Sequence, residues 1–116
     1  MGIAQFRGRA GEALAAAFLE LRGCRVVARN VRLGGVEVDL VVEEGGVHAI
    51  VEVRLRSRAD FGSAAETLDG RKRDRLRRAA GALMQQCACR VRLDVVAIDL
   101  AADGARLAHY RNAFAD

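Results

Sequence analysis

Two segments of alternating apolar and charged residues, joined by a short turn, constrain this chain more than any other feature. The first is "VEVDLVV" (residues 36–42) and the second is "HAIVEVRLR" (residues 48–56). Such alternation is typical of β-strands with one buried face. Gly45 and Gly46 can adopt the positive φ angles that a tight turn needs. The sequence therefore predicts a hairpin. The apolar residues expected to share one face of its first strand are Val36, Val38, Leu40 and Val42.

The turn also fixes which residues of the hairpin face each other. With the two glycines at the centre of the loop, Asp39 lies opposite Glu52, and Glu37 lies opposite Arg54. All four side chains are expected on one face, because residues directly across two paired strands point to the same side.

Two carboxylates that face each other repel, and something must offset that repulsion. A shared proton, a cation from the protein, or a bound metal could do so. A hard divalent ion such as Mg²⁺ or Mn²⁺ prefers carboxylate oxygens and can hold a phosphate. Alternatively, Arg54 and Arg56 neutralise Asp39 and Glu52 and form an ion-paired outer face. The pattern alone leaves both interpretations open.

The rest of the chain is predicted to form two helices and three more strands. A segment rich in Ala, Leu and Glu, from about 4 to 22, indicates a helix that ends at Gly23. A second helix is predicted from about 71 to 86. Further strands are predicted at 24–33, 90–100 and 106–112. The apolar stripes expected to face the core are Leu14, Ala17, Phe18 and Leu21 in the first helix, and Leu76, Ala79, Ala80, Leu83 and Cys87 in the second.

This order, α-β-β-β-α-β-β, predicts the α/β fold class. A mixed β-sheet of about five strands, flanked by helices, is the natural way to bury it. The chain has 116 residues and no linker or change in composition. We therefore expect one domain over residues 1–116 with a single core.

The charge distribution favours a polyanionic partner. The net charge is +4 with a pI near 9.6, and "RKRDRLRR" (residues 71–78) holds six basic residues and one acid. Four Phe and one Tyr are too few for a base-stacking platform, so contacts to the backbone of duplex or branched DNA fit better. A solvated helix face is the alternative. The candidate nucleic-acid contacts are Arg71, Lys72, Arg75 and Arg78 on the second helix and Arg56 on the hairpin.

The absence of membrane-span and signal-peptide patterns and the cysteine content both predict a cytoplasmic protein. No apolar run approaches the roughly 20 residues that span a bilayer, and the N-terminus lacks a signal-peptide pattern, so a cytoplasmic protein without a membrane partner is expected. Three cysteines fit a reducing compartment. Cys87 and Cys89 could be half of a zinc site, but no other Cys or His stands at a spacing that completes it. We expect both to act as small apolar residues.

Several motifs together resemble those of the YraN-like family of small bacterial proteins. They are "GRAGE", "GVEVDL", "VEVRLR" and the closing "RNAF", and the resemblance runs over residues 8–114. That family is similar to Holliday-junction resolvases and has the restriction-endonuclease-like PD-(D/E)XK fold. The resemblance thus implies a DNA endonuclease that depends on Mg²⁺ or Mn²⁺.

By position, the resemblance implies that Asp39 is the metal-binding aspartate and Glu52 the second acid ligand. The catalytic lysine of the motif is here Arg54. The glutamate of the first helix corresponds to Glu12, and Glu37 either shapes the site or pairs with Arg54. Helical periodicity by itself would place Glu12 in water, opposite the apolar stripe, where an acid near a helix start is favourable in any case.

Arg54 divides the functional hypotheses. Arginine can supply charge and two hydrogen bonds to a phosphate, but it cannot lose its proton near neutral pH. One hypothesis is a metal-dependent endonuclease in which Arg54 stabilises charge, with a homodimer able to cut both strands. Another is a non-catalytic nucleic-acid-binding module of the same fold. A third is an interaction protein with an ion-paired face. Lys72 could reach the site from its helix, although the sequence does not place it there.

Overall fold

The computed structural model describes residues 3–57 and 70–114, with side chains described for 8–56 and 70–114. All seven predicted elements are present in the predicted order, with bounds within two residues of those expected. They are α1 (Ile3–Leu21), β1 (Arg25–Leu33), β2 (Val36–Glu44), β3 (Val47–Ser57), α2 (Gly70–Cys87), β4 (Arg90–Ala101) and β5 (Gly104–Tyr110).

The five strands form one mixed sheet in the order β1-β2-β3-β4-β5. Neighbouring strands are antiparallel except β3 and β4, which are parallel and have α2 between them in the chain. The α/β class and the five-stranded sheet flanked by helices are therefore confirmed. Within the two described ranges, neither helix combines the length and hydropathy that a membrane span requires.

The sheet separates two layers of core, one under each helix. On the α1 side, small residues of the helix pack on the inner strands. On the α2 side, the leucines of the helix pack on the opposite face. The α1 layer contains Ala15, Ala16, Leu19, Cys24, Leu40, Val42, Ala49, Val51, Val96 and Ile98. The α2 layer contains Leu33, Val36, Val38, Val41, Ile50, Leu76, Ala79, Leu83, Leu93, Val95 and Phe114.

The face of α1 that packs on the sheet is not the predicted one. Three of the four residues in the predicted stripe are exposed, including Leu21 at 88%, whereas Ala15, Ala16 and Leu19 are fully buried. The two alanines let the helix approach the sheet closely, and this packing outweighs the apolar area of the larger side chains. Glu12 lies three, four and seven residues before the buried three, so it shares their face rather than pointing into water.

We therefore expect Leu19→Ala to destabilise the protein strongly and Leu21→Ala to have little effect. The first substitution leaves a cavity under α1 and should cost about 2–5 kcal/mol of unfolding free energy. The second removes an exposed side chain and should stay within about 0.5 kcal/mol. Denaturant unfolding of both variants measures the difference. Equal losses would contradict this orientation of α1.

The hairpin of β2 and β3 has the predicted register. Its two turn glycines have φ angles of 58° and 82°. Antiparallel pairing runs from Glu44 and Val47, beside the turn, to Leu40 and Val51. The turn chemistry thus sets the alignment of the strands that carry the candidate site.

The two strands separate at Asp39. The same register would next pair Asp39 with Glu52, but regular pairing stops one step before them. Instead, the amide of Val53 donates a hydrogen bond to Asp39 Oδ2 at 2.8 Å. The carboxylate of Asp39 therefore accepts a hydrogen bond from β3 that a backbone carbonyl of β2 would accept in a regular strand pair.

The side of the sheet to which alternate side chains of β2 point changes at the same residue. Val38 packs in the α2 layer and Leu40 in the α1 layer, although residues two apart on a regular strand share a face. On the neighbouring strand, Asn30 occupies the position opposite Asp39 and has a φ of 49°, which is uncommon outside glycine. The predicted single apolar face of residues 36–42 is therefore wrong, because the backbone twists at Asp39.

Candidate active site

A buried glutamate paired with a lysine forms the centre of the candidate site. Glu52, on β3, is only 6% exposed. Lys72, in the first turns of α2, places its Nζ 3.1 Å from Glu52 Oε1. Ile50, two residues before Glu52, packs in the α2 layer, so the alternation of β3 directs Glu52 toward α2. The cation on this carboxylate thus comes from a helix, not from the hairpin itself.

Asp39 and Glu52 influence each other's ionisation. Burial raises the pKa of Asp39, and the hydrogen bond from Val53 and the charge of Lys72 only partly offset this. Burial and then the charge of Asp39 raise the pKa of Glu52, again against the opposing effect of Lys72. The two carboxylates therefore lie next to each other and interact, and one ammonium lies beside them.

Helix α1 brings a third carboxylate toward the same region. Burial raises the pKa of Glu12, and the charges of Asp39 and Glu37 raise it further. Glu12 Oε1 is buried and has no hydrogen-bond partner among the described residues. Glu37 is exposed at the rim. The structure therefore brings together Glu12, Glu37, Asp39 and Glu52.

The donor chemistry of this cluster fits a hard divalent cation. Asp39 and Glu52 offer carboxylate oxygens, the ligand type that Mg²⁺ and Mn²⁺ prefer, and the unsatisfied Oε1 of Glu12 can accept a hydrogen bond. In the described part of the chain, no three carboxylates bring their oxygens within 4.8 Å of one another. The protein thus offers two carboxylates, a number typical of Mg²⁺ sites that keep several waters.

The two arginines of the hairpin have different surroundings. The charge of Arg54 lowers the pKa of Glu52, so Arg54 lies near the site, but the hairpin pairing that would place it opposite Glu37 does not extend so far. Arg56 donates from Nε to Asp99 on β4 at 2.8 Å. Arg56 is therefore held in an ion pair away from the carboxylate cluster.

The basic residues predicted to contact nucleic acid lie on α2 beside Lys72. Arg71, Arg75 and Arg78 are exposed, so a phosphate backbone could reach all three. Arg73 is placed differently, with its guanidinium 5.5 Å from the centre of the Phe114 ring. An exposed basic face thus starts next to the carboxylate cluster.

A buried network that the sequence did not reveal lies on β4 and β5. Asp94 is fully buried and accepts hydrogen bonds from Arg92 Nε (2.9 Å), His109 Nε2 (2.8 Å) and the amide of Asn112 (2.9 Å). Burial alone would raise the pKa of Asp94, but these hydrogen bonds hold it below its ordinary value. Asp94 is one of two aspartates among the apolar residues of β4, and the sequence does not show that it is the buried one.

The network extends to the hairpin turn through Glu44. Arg111 donates two hydrogen bonds to it, at 2.8 and 2.7 Å, and Arg92 donates a third. These hydrogen bonds lower the pKa of Glu44 to about 2. The turn end of the hairpin is thereby fixed, which steadies the strands that carry Asp39 and Glu52.

The family model described as "Uncharacterised protein family UPF0102" matches residues 11–98, which include every residue of the carboxylate cluster. The chain belongs to this family. The resemblance to YraN-like proteins is thereby confirmed. The family is uncharacterised, so membership by itself assigns no reaction.

Relatives in UPF0102 resemble the chain over most of its length. The UPF0102 protein of Pelotomaculum thermopropionicum is 43% identical over 114 residues, covering 92% of this chain and 93% of that protein. The protein of Halorhodospira halophila is 45% identical over 93 residues, covering 80% and 77%. The protein of Solibacter usitatus is 47% identical over 100 residues, covering 82% and 76%.

Among solved structures, "The structure of Pyrococcus Furiosus SfsA in complex with Ca2+" is similar with a TM-score of 0.41 and 16% sequence identity. The match covers 93% of this chain and 63% of that one.

Proposed function

We propose that this UPF0102 protein is a metal-dependent endonuclease acting on DNA. The observation that carries the proposal is the contact of Lys72 Nζ with Glu52 Oε1 at 3.1 Å. The PD-(D/E)XK motif needs an ammonium beside its second acid, and β3 has Arg54 at that position. Lys72 supplies the missing group from α2.

The residues of the cluster divide the work of phosphodiester hydrolysis. Asp39 and Glu52 would hold Mg²⁺ or Mn²⁺, which when bound polarises the phosphate and lowers the pKa of a water. Lys72 stabilises the charge that develops on the phosphate. Arg54 adds positive charge. Glu12, with its unsatisfied Oε1, can accept a hydrogen bond from the attacking water.

The exposed basic face of α2 supplies the contact to substrate. Arg71, Arg75 and Arg78 can bind successive phosphates without reading sequence, which suits duplex or branched DNA. Cutting both strands would require two copies of the site, and a homodimer would provide them. The competing function is a non-catalytic module that binds DNA through the same face.

The test is a cleavage assay on linear duplex and four-way-junction DNA with Mg²⁺ or Mn²⁺ and with chelator. Wild-type protein should cut only with metal. Lys72→Met should lower the rate at saturating DNA by about 100-fold, the cost of one charge-stabilising donor, with little change in affinity. Arg106→Met removes the same charge from an exposed site on β5 and should cut normally.

The other outcomes of the assay distinguish the competing functions. Salt-sensitive DNA binding without metal-dependent cleavage would establish the non-catalytic module instead. Neither binding nor cleavage would favour the ion-paired interaction protein. Cleavage by Lys72→Met at the wild-type rate would refute the role of Lys72.

A further inference from the structure

A second cluster of potential ligands lies at the far end of β3 from Glu52. The ligand atoms of His48, Cys87 and Cys89 all lie within 4.8 Å of one another, and among the described residues this is the group of three that meets such a limit. Cys87 and Cys89 are joined as a disulfide with a Cα–Cα distance of 5.1 Å. No spacing in the sequence connects His48 to the cysteines, and the prediction that both cysteines act as small apolar residues is wrong, because they are bonded to each other.

The topology explains why the three residues meet. Helix α2 ends at Cys87, and β4 begins at Arg90 directly beside the first residue of parallel β3. The C-x-C segment therefore passes the start of β3, where His48 lies. His48 and Ile50 share a face of β3, and Ile50 packs in the α2 layer, so His48 is also on the side of α2.

One feature of this cluster is not explained by the packing of the fold. His48 Nδ1 is buried and has no hydrogen-bond partner among the described residues, although a buried ring nitrogen normally has one. Ala88, between the cysteines, has a φ of 50° and donates its amide hydrogen bond to the carbonyl of Met84, which is the left-handed cap that ends many helices. That conformation turns Cys89 back toward Cys87.

We propose that the reduced form of this cluster is a Zn²⁺ site with Cys87 Sγ, Cys89 Sγ and His48 Nδ1 as ligands. Two sulfurs and one imidazole nitrogen match zinc and not Mg²⁺, and the fourth position of a tetrahedral site is left for water. The site is separate from the carboxylate cluster, because His48 and Glu52 are four residues apart on β3, about 13 Å along the strand.

Formation of the site requires reduction of the disulfide. A dithiol reductant donates two electrons and two protons, the S–S bond breaks, Cys87 and Cys89 become thiols, and the reductant closes its own disulfide. Zinc then replaces the thiol protons. Oxidation by a disulfide oxidant reverses both steps and releases the metal, so the cluster is a redox-controlled zinc site.

Cobalt provides the spectroscopic probe. The full chain is reduced, freed of reductant without oxygen, and titrated with Co²⁺, which gives a thiolate-to-cobalt absorption band when sulfur ligates it. We expect the band to saturate at one Co²⁺ per chain, to disappear on addition of Zn²⁺ but not of Mg²⁺, and to be absent after oxidation. His48→Gln should weaken binding at least about 100-fold, since even changes around ligands cost about 10–100-fold.

Two further variants keep the result interpretable. His48→Cys should retain the band, because sulfur replaces nitrogen as the third ligand. Cys24→Ser alters the buried cysteine outside the cluster and should bind like the wild type. A reduced protein without the band, or a titration that His48→Gln leaves unchanged, would overturn the proposal. Either result would leave the endonuclease proposal untouched, because that site uses none of these residues.

Discussion

Asp39→Asn is expected to abolish metal-dependent cleavage and to make the metal-free protein more stable. Loss of a ligand should lower the cleavage rate at least about 1000-fold, equivalent to several kcal/mol of transition-state stabilisation. The asparagine oxygen can still accept the hydrogen bond from Val53. The variant no longer carries a buried charge that repels Glu52, so its unfolding free energy should rise by about 1 kcal/mol.

The gain in unfolding free energy from Asp39→Asn should decrease as the pH falls. The pKa values of Asp39 and Glu52 are raised in the folded protein, so ionising them at neutral pH costs folding free energy. The gain from Asp39→Asn should be full at neutral pH and vanish below the ordinary aspartate pKa of 3.8, where both states are protonated.

Cleavage assays and denaturant unfolding without metal measure the two effects. Asp103→Asn removes the same charge from the exposed turn between β4 and β5 and should change neither. An Asp39→Asn protein that still cuts, or that is less stable than the wild type, would contradict the role given to this carboxylate.

Asp94→Asn is expected to cost about 3–5 kcal/mol of unfolding free energy, the usual cost of breaking a buried ion pair by removing one partner. The NH₂ group of the introduced asparagine is a hydrogen-bond donor. It would face two of the three donors of the network, which need an acceptor there. Arg92 and His109 then lose a charged partner in the interior. The matched control is Glu43→Gln, which breaks the exposed pair with Arg25 and should cost at most about 1 kcal/mol.

The unfolding free energies of the wild type and Asp94→Asn, measured as a function of pH, test whether the charge of Asp94 is responsible for the loss. The pKa of Asp94 lies below its ordinary value of 3.8, so its charge stabilises the fold fully above that pH, and the contribution is lost as the pH falls through the folded pKa. The stability difference between wild type and Asp94→Asn should therefore narrow in acid. A difference that is constant from pH 7 to pH 2 would show that packing, not charge, is responsible.

The order of elements and the hairpin register could be predicted because both depend on local chemistry. Period-two alternation marks the strands, and the glycine turn fixes their alignment. The packing of α1 could not be predicted in this way. Helical periodicity predicts that the largest apolar side chains, Leu14 and Leu21 among them, face the sheet. The face that packs on the sheet is instead the small one of Ala15 and Ala16, because it lets the helix come closer and pack more tightly.

Local patterns predict the candidate site only where the hairpin determines it, and Glu12 follows from the family resemblance. Asp39 and Glu52 follow from the register, but the position of Lys72 depends on how α2 crosses the sheet. The left-handed backbone at Asn30 and the meeting of His48 with Cys87 and Cys89 likewise depend on contacts between distant segments. A pattern within one strand contains no information about such contacts.

The site draws residues from all three layers of the fold. The hairpin carries the acidic pair, whereas Glu12 comes from α1 on one face of the sheet and Lys72 from α2 on the other. A newly made chain that has formed the hairpin, but has not docked both helices, therefore has the acidic pair without Glu12 and Lys72 beside it. Under the proposed function, cutting would begin only after both helices have docked on the sheet.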